Sequence, residues 1–407
     1  MKRDMSYLEQ MPIVVLGGGA VGKTVAADCK LAGREVRLYS RSRSSIDGLE
    51  RTGILLDGIQ RNLYGFERSG RAFLDMVSTD MAEAVKGAGL IVIAIPAHAH
   101  EYYLRTLVPL LEDGQVIHIF TDNYASLLLR KYMKEMGCHK DVVIGGWASA
   151  PYGTRIESVG GFRMPHVGVK YRAITLRGAS QPMSDMESFM ESTKYLPCMD
   201  AVTQGLGPAE GDTILDIGFS NINPVIHVPA YVLGVSSMEK WSCIFGKEPG
   251  TYSLYSHGLC PSICRIQYQF YEEERAIARA IGIQVPAYRY ESFFSRRSVL
   301  TQEYMGTDED GKDNVVFPLD QPCDEGNVGP DSINHRYITE DIPVGCKIYH
   351  DLGVKFGVPT PIIDSMIVLG GAMHETNYFE TSRYNLDYLG IGKMGRKELL
   401  EYLYNGK

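Results

Sequence analysis

The stretch that decides the fold is residues 12–24, Pro-Ile-Val-Val-Leu-Gly-Gly-Gly-Ala-Val-Gly-Lys-Thr. A short apolar run, 12–16, ends in three glycines, and a helical pattern follows from Ala20 to Ala32. A glycine turn that leads from a strand into a helix favours an anion, because free backbone amides and the helix dipole point at it. The stretch therefore predicts a phosphate-binding loop made of Gly17, Gly19, Ala20, Val21 and Gly22.

The loop satisfies two different motifs. Gly17, Gly19 and Gly22 match the dinucleotide fingerprint G-x-G-x-x-G. The first and last of these glycines, followed by Lys23 and Thr24, also match the P-loop pattern G-x-x-x-x-G-K-T. A P-loop protein also needs an acidic residue after another apolar strand to hold magnesium, and only Asp122 is a passable candidate. Because the helix begins directly after the glycines and the next strand follows closely, the context favours dinucleotide binding.

Apolar runs alternate with helical patterns beyond this loop. Runs suited to strands occupy residues 35–39, 90–95, 115–120 and 142–144, and helical patterns lie at 101–112 and 125–136. Strands that alternate with helices predict βαβ units and a parallel sheet. From about 164 to 204 the pattern changes to a strand over 167–176, a helix over 183–195 and a short strand over 197–202.

Past Gly205 the strand signal nearly disappears and long helical patterns follow. We therefore predict an α/β Rossmann domain over residues 1–205, with a doubly wound, mostly parallel sheet, and an all-α domain over 206–407.

Composition narrows the class of protein. The chain has 407 residues, 44% hydrophobic and 22% charged, which is average for a globular protein with a large core. Its formal net charge of −8 argues against a nucleic-acid partner, which requires a basic surface. No apolar run has the length of a membrane span or a signal peptide, and eight cysteines show no zinc-site spacing, so we expect a cytoplasmic protein without membrane contact or metal.

The end of the second strand bears on the choice of cofactor. An acidic residue there binds the ribose hydroxyls of NAD, whereas arginine suits the additional phosphate of NADP. Here the strand continues into Ser40, Arg41 and Arg43. Glu35 is the first residue of the strand and so lies at the opposite edge of the sheet from the expected cofactor site. We predict NADP, with NAD as the alternative, and a solvated basic loop is the competing interpretation. Pro96, directly after the run 90–95, is a further expected cofactor contact.

Two motifs in the second half carry candidate chemistry. Residues 221–229 read Asn-Ile-Asn-Pro-Val-Ile-His-Val-Pro, in which Asn223 is expected to cap a helix and to place His227 in its first turn. Far downstream, residues 335–343 read His-Arg-Tyr-Ile-Thr-Glu-Asp-Ile-Pro.

Here the sequence resembles the opine dehydrogenases, the octopine and nopaline dehydrogenase family. Both motifs are similar to that family's, and further family-like stretches occur in the expected order at 95–97, 100–101, 113–115, 151–156, 273–278, 282–283, 358–364 and 386–391. The resemblance implies that the amine of an amino acid and the carbonyl of a 2-oxo acid such as pyruvate form an imine that NAD(P)H reduces. It also implies that His227 is the acid–base residue, Asp341 its partner and Arg336 the clamp on a substrate carboxylate.

Elementary chemistry suits these roles. Loss of water needs a group that titrates near neutrality, a carboxylate fixes the imidazole tautomer, and an arginine fork matches a carboxylate. Each residue also has a plainer interpretation: His227 as a core histidine, Asp341 as a helix cap, and Arg336 in a structural ion pair.

Other functions stay open from the sequence alone. A two-domain reductase resembling ketopantoate reductase would need a lysine at the nicotinamide, and no lysine stands in a comparable motif. A P-loop hydrolase and a nucleotide sensor without catalysis are alternatives from other classes. We consider a homodimer as one assembly state. One departure from the family is Asp122-Asn-Tyr-Ala125, which replaces an expected glycine-rich turn.

Overall fold

The computed structural model describes residues 4–58, 68–159, 162–293 and 328–407. These residues form two compact units. One, the sheet unit, contains the described residues up to Ile217 together with Glu401–Lys407. The other, the helical unit, contains the described residues of Gly218–Leu300 and of Lys312–Leu400.

All strands of the described residues that are longer than an isolated bridge lie in the sheet unit. In chain order they are β1 (Ile13–Leu16), β2 (Val36–Tyr39), β3 (Ile54–Gly58), β4 (Gly70–Ala72), β5 (Met76–Ser78), β6 (Leu90–Ile93), β7 (Val116–Phe120), β8 (Val143–Trp147), β9 (Tyr152–Val159), β10 (Phe162–Arg172), β11 (Thr175–Ser180) and β12 (Gly207–Glu210).

The main sheet has the strand order of a Rossmann fold. Within the described residues it runs β12-β11-β8-β7-β6-β1-β2-β5, and the strands from β8 to β5 are all parallel. Read along the chain, this is the 3-2-1-4-5-6 order of doubly wound dinucleotide-binding sheets. β1, β6, β7 and β8 are buried along their whole length, as parallel strands covered on both faces require. The predicted α/β Rossmann class is confirmed.

A second sheet was not predicted from the sequence. Strands β4, β3, β10 and β9 form it in that order, with β3 parallel and β9 antiparallel to β10. The predicted single strand over 167–176 is therefore two: β10 ends at Arg172 in this sheet, and β11 begins at Thr175 in the main one. The predicted strand over 197–202 is wrong. Pro197–Met199 is a 3-10 turn and Asp200–Thr203 a helix, because the buried residues there follow helical spacing.

The helices that cover the sheet unit follow the predicted alternation. They are α1 (Ala20–Leu31), α2 (Leu49–Thr52), α3 (Met81–Val85), α4 (His100–Leu107), α5 (Ala125–Glu135), α6 (Met186–Ser192), α7 (Asp200–Thr203) and α8 (Ile214–Phe219), the last of which crosses the boundary between the units. α1 lies against strands of both sheets, and Thr24 on α1 meets Thr154 on β9 with hydroxyl oxygens 2.7 Å apart.

The helical unit is built from long helices and two π-helical turns. Its helices are α9 (Ile222–Glu239), α10 (Pro261–Ile281), α11 (Tyr290–Phe293), α12 (Arg336–Thr339), α13 (Lys347–Phe356), α14 (Pro361–Met373), α15 (Tyr378–Thr381) and α16 (Arg396–Asn405), of which the end of α16 belongs to the sheet unit. The π turns span Leu254–Gly258 and Asp341–Cys346. Among the described residues of this unit the only strand-like pairing is an isolated bridge between Ser253 and Gly329.

Packing in the helical unit depends on apolar faces and on side chains that bond to backbone groups. α10 contacts α9, α13 and α14. Glu273 on α10 accepts hydrogen bonds from the backbone N–H groups of Ile362 and Ile363, so it caps the first turn of α14 from another helix. No helix in the described parts of the chain is both long and apolar enough to cross a bilayer.

Candidate active site

The glycine loop lies at the switch point of the main sheet, where β1 lies between β2 and β6. Gly17 has a φ of +135°, and a Cβ at this position would lie 2.3 Å from the carbonyl oxygen of Ala94. A Cβ on Gly22 would lie 1.9 Å from the carbonyl oxygen of Gly17. The first glycine therefore permits the turn, and the last permits α1 to pack against the loop.

The middle glycine leaves room for a ligand. A Cβ on Gly19 would meet no atom within 4 Å, and Gly19 is the N-cap of α1 with no side chain bonded to the cap. The backbone amides of Ala20 and Val21 belong to the first turn of this helix, where amides have no partner within the helix. A pyrophosphate group can approach the backbone here, so the residues present fit a dinucleotide.

The residues predicted to contact the adenosine end of the cofactor follow β2. Ser40 is buried, with its hydroxyl 2.7 Å from that of Ser45. The Arg41 guanidinium lies 5.0 Å from the ring centroid of Tyr102. Arg43 instead forms ion pairs with Asp47 at 3.4 Å and Glu50 at 2.8 Å, so two carboxylates already compensate its charge. Arg41 makes no ion pair with any described residue and is the better candidate for a phosphate contact.

Pro96 also lies at this edge of the sheet. It follows β6, and its carbonyl accepts a hydrogen bond from the N–H of Ala99 at 2.9 Å. Because parallel strands end at one edge, Pro96 and the glycine loop follow neighbouring strands at the edge where such sheets bind ligands.

The side chains with which a P-loop hydrolase would bind magnesium, those of Thr24 and Asp122, have other hydrogen-bond partners in this structure. The Thr24 hydroxyl donates to the carbonyl of Ala20 and contacts Thr154. The Asp122 carboxylate accepts hydrogen bonds from the backbone and the hydroxyl of Ser126, and burial raises its pKa to about 7. The turn after Asp122 replaces glycine with Asn123 and Tyr124, whose positive φ values of 42° and 65° give a left-handed backbone without glycine.

His227 lies on α9 and is held by a cap different from the predicted one. Asn221, not Asn223, is the N-cap, and its side-chain oxygen accepts the N–H of Asn223 at 3.2 Å. The helix starts two residues earlier because Asn221 has the extended backbone that a cap requires, with a ψ of 101°. His227 is therefore in the second turn and only 5% exposed. Gln267 on α10 donates to the carbonyl of Ile226, which fixes α9 beside the histidine.

Both ring nitrogens of His227 have partners. Nδ1 lies 2.8 Å from Oδ2 of Asp341, and Nε2 lies 2.7 Å from the hydroxyl of Tyr255. One face of the ring stacks on Tyr337, with ring centroids 3.6 Å apart and an angle of 16° between the planes. The structure thus brings together His227 and Asp341, which are 114 positions apart in the chain.

A π turn presents Asp341 to the histidine. Asp341 begins the π-helical turn Asp341–Cys346 between α12 and α13, a geometry that is rare and occurs often at functional sites. Within this turn, a Cβ on Gly345 would lie 2.4 Å from Cγ of Pro224. Because only glycine allows that approach, the turn packs directly against the start of α9. Burial raises the pKa of Asp341, while its hydrogen bond with His227 acts in the opposite direction.

Arg336 is the first residue of α12, the short helix that precedes the π turn of Asp341. Its guanidinium is 3.2 Å from a carboxylate oxygen of Glu340, and 62% of its side chain is exposed. The structural ion pair that was the alternative interpretation of Arg336 is therefore present. Because the side chain is largely exposed, other N–H donors of its guanidinium can bind a second carboxylate.

Sequence reasoning missed the two tyrosines that contact His227. Tyr337 was visible as part of the motif 335–343, directly after Arg336, but no role was assigned to it. Tyr255 lies in Thr-Tyr-Ser-Leu-Tyr-Ser-His-Gly, residues 251–258, where no motif marks one tyrosine among several. Only the fold reveals that contact.

Two family models match separate parts of the chain. The first is described as NAD/NADP octopine/nopaline dehydrogenase, alpha-helical domain, and matches residues 210–374. The second is described as NAD-dependent glycerol-3-phosphate dehydrogenase N-terminus and matches residues 12–122.

Individual proteins match between 72% and 98% of the chain. An opine dehydrogenase of Arthrobacter sp. (strain 1C) is 24% identical over 391 residues, which cover 94% of this chain and 96% of that protein. An opine dehydrogenase of Haliotis discus hannai is 26% identical over 310 residues, or 72% of this chain and 71% of that protein. A solved octopine dehydrogenase with NADH and L-arginine superimposes with a TM-score of 0.70 at 17% identity and covers 98% of each chain.

Proposed function

We propose that this chain, which is similar to opine dehydrogenases in sequence and in its helical domain, catalyses the NAD(P)H-dependent reductive condensation of an amino acid with a 2-oxo acid. The observation that carries the proposal is the His227–Asp341 hydrogen bond of 2.8 Å, buried in the helical unit and built from two motifs far apart in the chain. A core histidine and a helix cap have no reason to meet in this way.

Condensation requires the transfer of protons from the amine nitrogen to the carbonyl oxygen. An ammonium group must lose one proton before its nitrogen can attack the carbonyl carbon and a second after the attack, and the carbonyl oxygen must gain two protons before it leaves as water. We assign this task to His227, with Asp341 as the group that orients the ring and stabilises its protonated form. The bound cofactor supplies the hydride that reduces the resulting imine.

Arg336 is assigned the recognition of a substrate carboxylate. Its guanidinium is largely exposed, and Glu340 holds it by an i, i+4 ion pair. A planar fork binds a carboxylate through two parallel hydrogen bonds, and both proposed substrates carry one. The glycine loop is assigned to the pyrophosphate, and Arg41 to the additional phosphate of NADP, so NADPH is the proposed preferred cofactor.

The reaction class is tested by a screen for cofactor oxidation. NADPH and NADH would each be mixed with pyruvate, 2-oxoglutarate or oxaloacetate and with every amino acid in turn, and absorbance at the nicotinamide band would be followed. We expect oxidation that requires both an amino acid and an oxo acid, with a secondary-amine product identified by mass spectrometry. Oxidation by an oxo acid alone, or ATP hydrolysis without NAD(P) binding, would contradict the proposal.

The alternatives differ in the groups that they need. A ketopantoate-reductase-like enzyme would act on an oxo acid without an amine, so the same screen separates it. Cytoplasmic location and a homodimer stay predictions; fractionation of cells and light scattering of the purified chain test them.

A further inference from the structure

The catalytic histidine proposed above has no free ring nitrogen in this structure. Asp341 is bonded to Nδ1 and Tyr255 to Nε2, while Tyr337 covers one ring face. His227 is only 5% exposed, whereas Tyr255 is half-buried. A substrate can therefore reach Nε2 only by displacing the Tyr255 hydroxyl or by acting through it.

The hydrogen-bond chemistry gives this chain of groups a direction. An ionised Asp341 only accepts hydrogen bonds, so Nδ1 of the neutral imidazole carries the proton and Nε2 accepts one. The donor to Nε2 is then the Tyr255 hydroxyl, at 2.7 Å. When the imidazole is protonated, the same bond reverses: Nε2–H donates to the tyrosine oxygen, and the hydroxyl proton becomes available to a further acceptor.

The local fold holds Tyr255 in this position. The Tyr255 π turn, Leu254–Gly258, is capped by Ser253, whose hydroxyl accepts the N–H of Ser256 at 3.2 Å. The N–H of Ser253 in turn donates to Nδ1 of His257 at 2.9 Å. A Cβ on Gly258 would lie 2.6 Å from the hydroxyl of Tyr252, so the end of the turn is closely packed. These contacts favour a fixed relay over a side chain that swings aside.

We propose that Tyr255 passes protons between His227 and the substrate, so that the acid–base unit is the relay Asp341–His227–Tyr255. This inference rests on the proposed function. In the condensation, R–NH3+ and O=C become R–NH+=C and H2O, so two protons move from nitrogen to oxygen. For each, the tyrosine oxygen takes a proton from nitrogen as its own proton passes to Nε2. The return transfer gives a proton to the substrate oxygen, and the imidazole becomes neutral again.

The last of these transfers breaks the carbon–oxygen bond. As the Tyr255 hydroxyl protonates the carbinolamine oxygen, water leaves, and the lone pair of nitrogen forms the C=N bond. No net proton enters or leaves the relay over the condensation, and Asp341 stays ionised throughout.

The kinetic test is Tyr255→Phe, which removes one oxygen atom and retains the ring. We expect kcat to fall about a hundredfold, the usual scale of a lost acid–base group, with the NADPH dissociation constant unchanged within about twofold. Tyr268→Phe is the matched control: its hydroxyl is also bonded in the helical unit, to the carbonyl of Tyr288 at 3.0 Å, and we expect kcat within about twofold of the wild type. A Tyr255→Phe variant as fast as the wild type, or faster, would show that the tyrosine only blocks the histidine and would overturn the relay.

A second measurement separates proton transfer from a merely structural role. Under single-turnover conditions, rates in mixtures of H2O and D2O should curve downward for the wild type, because two protons move together, and should be linear for Tyr255→Phe. A linear dependence for the wild type would overturn the relay even if Tyr255→Phe is slow.

A third measurement does not depend on activity. In protein with 15N-labelled histidine, the Nε2 resonance of His227 should shift towards that of a free acceptor in Tyr255→Phe and stay unchanged in Tyr268→Phe. An unchanged resonance in Tyr255→Phe would overturn the relay. If Tyr255→Phe shifts the resonance but the wild-type chain condenses no substrate pair, the proposed function is overturned and, with it, the relay's role in that reaction.

Discussion

The sheet unit and the helical unit each contain a buried aspartate beside a group that can be positively charged. In the sheet unit, Asp28 on α1 accepts hydrogen bonds from the guanidinium of Arg172 at 2.8 and 3.3 Å and from the hydroxyl of Tyr152, and Arg68 adds a third cationic contact at 3.2 Å. In the helical unit, Asp341 has His227 as its partner. Both aspartates are buried.

The partners differ in whether they can lose their charge. Burial alone would lower the pKa of Arg172, but the charges of Asp28 and Tyr152 and the hydrogen bonds to both together outweigh burial and raise that pKa, so Arg172 is charged at every accessible pH. An imidazole can gain or lose its charge near neutrality, so the partner of Asp341 can change its charge, which Arg172 cannot do. A buried carboxylate beside arginine therefore holds the fold together, whereas one beside histidine can handle protons.

The largest expected effect is on stability, at Asp28. Asp28→Asn leaves the guanidinium of Arg172 buried without its counter-charge, and Arg172 cannot be neutralised. We expect the free energy of unfolding, measured by urea titration, to fall by about 3–5 kcal/mol.

The exposed pair of Glu191 with Lys194 provides the control for Asp28. Its atoms are 2.7 Å apart, but 61% of the lysine side chain is exposed, so Glu191→Gln should change stability by less than about 1 kcal/mol. If Asp28→Asn were as harmless as this control, the Asp28 cluster would not be a structural ion pair.

The next effect is on turnover, at the histidine pair. His227→Ala and Asp341→Asn should lower kcat about a hundredfold to a thousandfold, or roughly 3–4 kcal/mol of activation free energy. Stability should change much less than for Asp28→Asn, because each partner can become neutral when the other is removed. Steady-state kinetics and urea titration of the same preparations measure both quantities.

Arg336→Ala gives the contrasting kinetic pattern. Because Arg336 is assigned to substrate binding, this variant should raise KM for the oxo acid or the amino acid more than it lowers kcat. If His227→Ala lost stability but retained kcat, the His227–Asp341 pair would have a structural role, as the Asp28 cluster does.

The smallest effect concerns the two arginines after β2. Arg41→Ala should raise KM for NADPH about tenfold to a hundredfold and leave KM for NADH nearly unchanged, since it removes a charge-assisted contact to phosphate. Arg43→Ala is the matched variant and should change KM for NADPH only about twofold, because Asp47 and Glu50 already compensate Arg43. A wild type that prefers NADH would defeat the assignment of Arg41 to the additional phosphate.

Much of the fold could be predicted because its signals are local. The glycine loop, the buried parallel strands and the change to helical periodicity follow from spacing and burial along short segments. The sheet of β3, β4, β9 and β10 was missed because it pairs segments about a hundred residues apart, such as Leu55 with His166, and β4 has only three residues. In the structure the helical unit begins at Gly218, not at 206, since β12 still extends the main sheet.

For the site, the sequence by itself determined which residues carry the ionisable groups, namely His227, Asp341 and Arg336, and which form the proposed phosphate-binding loop. Only the tertiary structure decided what those groups face. Asp341 meets His227 because Gly345 lets the π turn approach Pro224. Tyr255 reaches Nε2 from a turn that no motif marks. Such contacts depend on packing between distant segments, which local periodicity does not encode.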